Sequence, residues 1–152
     1  MKLDDYIGFI FNNASRKLNQ FAVNFFKPYD LTPEQAGIIR RLGEQEGISQ
    51  KDLSMRMAKD QTNITRLLDQ LERKGLIRRG PNLEDRRSFL IYLTVKGKEI
   101  NEKIIPVETE IMDAVLKGVS GERKALLNEI ISEFVENINT HNKVDAKEEM
   151  EQ

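Results

Sequence analysis

No cysteine occurs among the 152 residues, and histidine occurs once, as His141. The first absence excludes disulfides, thiol redox sensing and thiolate metal sites. A single imidazole excludes a clustered histidine metal site within one chain. No run approaches the roughly 18 apolar residues of a membrane span. The opening Met1-Lys2-Leu3-Asp4-Asp5 has acids where a secretion signal would be basic, and no apolar region with a cleavage site follows. A Gly-rich phosphate loop, metal-ligand spacing and a histidine beside a carboxylate cluster are missing too. Together these absences predict a cytoplasmic protein with no metal, no cofactor and no enzymatic activity. Internal repeats and low-complexity linkers are also lacking.

The composition is 39% apolar and 32% charged. That suits one ordinary globular domain, long enough to bury a core. The formal net charge of −1 conceals an uneven distribution. Residues 49–96 hold 11 Lys/Arg and 6 Asp/Glu, a net of +5; the rest holds 13 and 19, a net of −6. A local positive field governs nucleic-acid binding more than the whole-chain balance does.

Both ends of the chain read as long amphipathic helices. Leu3, Ile7, Ile10, Ala14, Leu18, Phe21 and Phe25 recur at helical spacing and predict an apolar stripe, ending near Lys27-Pro28. Such a stripe must pack on another layer or another subunit. Thr32-Pro33-Glu34-Gln35 has the form of a capping box with proline at the first helical position, and Ile38, Ile39 and Leu42 then face inward. After the central region, Thr94 is expected to cap a helix carrying Ile100, Ile104, Val107, Ile111 and Val115, which Pro106 should kink or divide. Ser120 should start a last helix with Leu126, Leu127, Ile130, Ile131, Phe134 and Ile138. The polar stretch 141–152 is expected to fray.

The most telling stretch is 49–94. Ser49 caps a short helix ending near Ala58, with Ile48 stapled onto Leu53. Asp60 caps a second helix, whose inner face is Ile64, Leu67, Leu68 and Leu71 and whose stop is Gly75. Strand-like runs Leu76–Arg79 and Phe89–Leu93 then flank a turn that carries Arg86 and Arg87. In the second run Phe89, Ile91 and Leu93 point one way, Leu90 and Tyr92 the other. The pattern is a helix-turn-helix followed by a hairpin wing, a device for holding duplex DNA.

On these residues the chain resembles the MarR (multiple antibiotic resistance regulator) family of bacterial winged-helix transcription factors. The matching pieces are Leu31-Thr32-Pro33-Glu34-Gln35, Gln50-x-x-Leu53, the run from Asn63 through Lys74-Gly75-Leu76-Ile77 to Arg79, and Asp85-Arg86-Arg87 leading to Leu93-Thr94. The resemblance covers roughly residues 5–140. It implies a mainly α fold with a small β-hairpin. A winged lobe over 31–95 would lie between dimerisation helices over 1–28 and 96–140. It further implies a homodimer on a near-palindromic operator, acting as a repressor, with recognition helices in successive major grooves and wings in the flanking minor grooves. Many members also release DNA on binding a small aromatic effector. Cysteine-based members sense oxidants; this chain, lacking cysteine, does not match them.

Residue roles follow. Gln61, Thr62, Asn63, Thr65 and Arg66 are the base-edge and phosphate candidates, since amides suit adenine and guanidinium suits guanine. The same residue types would also occupy a merely solvated helix face. Ser49, Gln50 and Lys51 open the preceding helix, where free backbone N–H groups can meet a phosphate or simply be capped. Arg86 and Arg87 suit a narrow minor groove. The resemblance implies that Asp85 braces the wing through Arg87. Arg73, Lys74, Arg78 and Arg79 read as phosphate contacts or solvated charges. Tyr6, Phe21 and Phe25 are effector-pocket candidates, with dimer core as the plainer assignment. Two non-enzymatic alternatives compete with sequence-specific regulation. One is a winged-helix module that binds protein, and the other is a non-specific architectural DNA binder.

Overall fold

The computed structural model describes residues 1–152. They form two compact units, Met1–Met112 and Asp113–Gln152. The first unit holds the whole buried core. Helix α1, Ile7–Phe26, gives it Ala22 and Phe26. A 3-10 turn over Lys27–Tyr29 follows, and Asp30 takes a left-handed conformation with φ 53°. The α-helix thus ends at Phe26, as expected near Lys27-Pro28, but Lys27 itself keeps helical geometry at φ −52° and ψ −43°, and the chain turns at Asp30. Helix α2, Pro33–Glu44, begins with the complete capping box: Thr32 Oγ1 accepts the Gln35 amide, and Gln35 Oε1 accepts the Thr32 amide. Its Ile38, Ile39 and Leu42 are fully buried.

Strand β1, Ile48–Ser49, was not foreseen from its sequence; two residues are too few to show a period. It pairs antiparallel with β3, Phe89–Leu93, which pairs in turn with β2, Ile77–Pro81. The sheet order is β1-β3-β2. The expected first wing strand, Leu76–Arg79, lies two residues further along at its outer end, since Gly80 and Pro81 pair with Leu90 and Phe89. Ile91 and Leu93 face the core as the alternation requires, whereas Phe89 lies beyond the core's edge and is exposed.

Between β1 and β2 run α3, Gln50–Arg56, and α4, Gln61–Arg73. Ile64, Leu67, Leu68 and Leu71 of α4 are buried and seat the helix on the core. The α4 end is a tight cap: the Gly75 amide donates to Glu72 O, the Leu76 amide to Leu71 O, and Gly75 has φ +72°. Helix α5, Val95–Val115, starts at Thr94, whose Oγ1 accepts the Gly97 amide. Pro106 does not divide it. Proline there removes one backbone donor, but Ile104, Val107 and Ile111 are anchored in the core on both sides of it. Ala22 and Phe26 of α1 and the first part of α5 therefore share the core of the winged lobe, within the unit Met1–Met112.

The second unit contains α6, Gly121–Glu151, which Ser120 caps through the Arg123 amide. None of its residues is buried. The polar stretch 141–152 is helical as far as Glu151. Ala146, Lys147, Glu148 and Glu149 are good helix formers, no Gly or Pro interrupts them, and His141 pairs with Asp145 one turn on at 3.3 Å.

Candidate nucleic-acid interface

The α4 face opposite Ile64 and Leu67 carries Gln61, Thr62, Asn63, Thr65 and Arg66, all exposed. Amphipathic spacing creates this arrangement: burying the leucine stripe turns these polar positions outward, while Gln70 stays half-buried against Gln35. Asp60 caps the helix by accepting the Asn63 amide at 2.8 Å. Its other carboxylate oxygen accepts the Asn63 side-chain amide at 3.0 Å. Thr65 Oγ1 donates to Gln61 O at 2.8 Å and accepts Gln50 Nε2 at 2.7 Å. Gln50, from α3, is thus tied to the outer face of α4. Ser49 caps α3 through the Asp52 amide at 3.1 Å, so its hydroxyl serves the fold.

A groove of about 680 Å³ runs between these helices and the wing. Gln50, Lys51, Gln61 and Thr65 line one side, and Asn82, Arg87 and Ser88 the other. The structure therefore brings together candidates from all three segments. Arg66 lies apart from this groove, further round the exposed α4 face beside Thr62 and Arg73. Arg86, Arg87, Lys51 and Arg66 are exposed and make no ion pair within the chain.

The wing brace differs in kind from the expected one. Asp85 Oδ1 accepts the backbone amide of Arg87 at 3.0 Å, and Asp85 O accepts the Ser88 amide at 3.1 Å. The aspartate closes a local turn and leaves the Arg87 guanidinium free. The pairing that fixes wing to helix belongs to Arg79, which the sequence had as a phosphate contact or solvated charge. Its Nη2 meets Asp69 at 2.7 Å and its Nη1 meets Glu72 at 3.2 Å, with the side chain only 16% exposed. Asp69 and Glu72 sit three residues apart on α4, a helical spacing that could have signalled a shared partner. Arg78 stacks 4.2 Å from the Tyr92 ring centroid. Lys74 is held by Asp30 O and by Gln35 Oε1. Of the four cations in that group, Arg73 alone remains without a partner inside the chain.

Tyr6, Phe21 and Phe25 stand outside the cavity that α1 lines with α2 and α5. Phe21 and Phe25 pack on each other with centroids 5.0 Å apart, and Tyr6 sits against Gly8. A cavity of about 440 Å³ does open between α1, α2 and α5, but Leu18, Ala22, Phe26, Ala36, Ile111 and Met112 form its apolar wall. Phe21 and Phe25 miss it because α1 presents the Leu18–Ala22–Phe26 row there. Glu108 stands at this cavity and pairs with Arg40 at 2.9 Å. No group of His, Asp or Glu is arranged to hold a metal ion. No helix is long and apolar enough to cross a membrane.

Comparison with known proteins places this geometry. Residues 31–89 match the family model described as "MarR family". The HTH-type transcriptional regulator SarZ of Staphylococcus saprophyticus is 27% identical over 139 residues, spanning 90% of this chain and 95% of that protein. A probable transcriptional regulator from Pseudomonas aeruginosa has a crystal structure that superposes with a TM-score of 0.80 at 28% identity, covering 88% of this chain and 99% of that one. The S. aureus MepR–DNA complex shares the fold, with a TM-score of 0.78 at 24% identity over 87% of this chain and 98% of that one.

Proposed function

The chain belongs to the MarR family of winged-helix transcriptional regulators, and from that premise we propose that it binds a near-palindromic DNA operator as a homodimer and represses transcription there. The observation that carries this reading is the pairing of an exposed polar α4 face with a wing whose Arg86 and Arg87 have no carboxylate partner. A helix fits the major groove of B-DNA, and unpaired guanidinium groups suit the negative potential of a narrow minor groove. The MepR relative was crystallised with DNA, which supports the same use of this fold here. A protein-docking winged helix would present apolar anchors on that face; this one presents amides, hydroxyls and a guanidinium.

Dimerisation follows from what one subunit leaves uncovered. Leu3, Ile7, Ile10 and Phe21 near α1, and Leu126, Leu127, Ile130 and Ile138 on α6, are exposed in the single chain. Contiguous apolar faces of that kind mark association surfaces. Twofold symmetry would then set two α4 helices about one helical turn of DNA apart, roughly 34–36 Å. A small aromatic effector that releases the DNA would sit in the cavity of about 440 Å³ between α1, α2 and α5. The site of action is the cytoplasm, with the chromosome.

The test is a gel-shift titration with a palindromic fragment from the gene's own upstream region, with competitor DNA present. Specific retention of that fragment is expected. Equal binding to a scrambled duplex would replace the regulator with a non-specific architectural protein. A monomer in sedimentation at micromolar concentration would remove the twofold operator.

A further inference from the structure

We propose that Thr65 acts as a positioning residue that turns the Gln50 carboxamide oxygen toward the DNA, so that Gln50 reads an exocyclic amino group in each half-site. The inference rests on the operator-binding reading above and specifies how part of that surface selects sequence.

The hydrogen-bond chemistry fixes the orientation. A threonine hydroxyl has one proton to give. Thr65 Oγ1 spends it on the Gln61 backbone carbonyl at 2.8 Å, an atom that can only accept. The same hydroxyl meets the Gln50 side chain at 2.7 Å. With its proton committed, it can only accept there, so Gln50 must present Nε2 to it. Oε1 is left on the other arm of the amide, and Gln50 lines the open groove between α3, α4 and the wing. An amide on a flexible stem could otherwise flip and offer either N–H or C=O to a base. Held this way, its oxygen meets donors rather than keto acceptors. Adenine N6 and cytosine N4 are the major-groove donors. Adenine also places N7 beside N6, which suits the second Nε2 proton. Guanine O6 and thymine O4 face the Oε1 lone pairs and are disfavoured.

Asn63 obeys the same rule, because the Asp60 carboxylate can only accept and so takes its Nδ2 at 3.0 Å. Gln50 differs in that its holding partner lies on another helix. The relative placement of α3 and α4 is therefore built into the readout.

The experiment begins with selection of the preferred duplex from a random pool by the full-length protein. Each adenine and cytosine of a half-site is then replaced by the analogue lacking its amino group. Affinities are measured for wild type, Gln50→Met, Thr65→Val and Gln50→Glu, with thermal melting to confirm that each variant folds. In wild type, amine removal at one position per half-site should weaken binding at least about fivefold, the low end for a base contact. That penalty should vanish in Gln50→Met and fall below about twofold in Thr65→Val. It should fall likewise in Gln50→Glu, whose carboxylate has no N–H to give the Thr65 hydroxyl, and overall affinity drops there too. An unchanged penalty in Gln50→Met or in Thr65→Val overturns the proposal, as does a wild-type protein indifferent to every amine. Failure of wild type to select any sequence above scrambled DNA overturns the operator reading itself, and the inference with it.

Discussion

Substituting alanine for Gly97 should be among the most damaging small changes available in this chain. Gly97 lies in the first turn of α5, where the helix crosses the start of the wing strand. A Cβ built there would stand 2.0 Å from the carbonyl oxygen of Leu76 and 3.2 Å from Leu93 Cδ2. Real Cβ atoms essentially never come within 3.0 Å of another heavy atom, so α5 must retreat by about 1 Å. The obstacle is backbone, which no rotamer change relieves. Retreat also stretches the junction in which Thr94 Oγ1 accepts the Gly97 amide at 3.1 Å and donates to Gly75 O at 2.6 Å. Overpacking of this kind costs about 1–3 kcal/mol, and each weakened hydrogen bond about 0.5–1.5 kcal/mol. Alanine returns about 1 kcal/mol of helix propensity. The net is a destabilisation of about 1–5 kcal/mol, a fall in Tm of about 2–20 °C for a chain of this size. Urea denaturation followed by circular dichroism, at one fixed protein concentration, measures it. Gly121→Ala is the control, since nothing lies within 4 Å of its added Cβ. A Gly97→Ala protein as stable as wild type would refute the reasoning.

Arg86→Ala should weaken DNA binding and lower the slope of log K against log[salt] by about 1. An unchanged slope would remove Arg86 from the DNA contacts. Arg79→Ala should leave that slope unaltered, yet lower stability by about 1 kcal/mol because its carboxylate partners are half-exposed; a full-unit slope change would make Arg79 a phosphate ligand after all. Asp60→Ala removes the α4 cap and should cost about 1 kcal/mol in the urea midpoint; no loss would mean that the cap is redundant. Glu46 is held below its ordinary carboxylate range, chiefly by a hydrogen bond from Lys98 and then by that ammonium's charge. A lowered folded pKa gives stability that is present above the unfolded value and lost as pH falls through the folded one. The advantage of wild type over Glu46→Gln should therefore shrink as pH drops below 4.5. A gap that widened on acidification would reverse the assigned sign.

The elements that the sequence foretold best are those encoded within a few neighbouring residues. Thr32, Ser49, Asp60 and Ser120 cap where their spacing said they would, because an N-cap bond spans three residues. The leucine row of α4 is buried because helical period alone decides its face. Misplaced features depend on partners distant in the chain. Arg79 is indistinguishable from any basic wing residue until folding brings Asp69 and Glu72 to it. Strand β1 exists because β3 offers it a pairing edge. The aromatics Phe21 and Phe25 lie outside the cavity of about 440 Å³ for a related reason. The α1 row that meets α2 and α5 contains Phe26 but neither Phe21 nor Phe25, and the rotation of a helix about its axis is set by what it packs against.

The order of residues by itself determined the chemical inventory: no thiol, one imidazole, a basic central stretch and a polar-faced helix after a capping aspartate. Those properties are local or additive, so composition and period suffice to state them. Folding decided which cations stay available for a ligand and which are consumed internally. Arg86 and Arg87 remain unpaired while Arg79 pairs with Asp69 and Lys74 with Asp30, and Gln50 meets Thr65 across two helices. A charge or an amide acquires a direction only when its neighbours in space are fixed, and those neighbours lie tens of residues away along the chain.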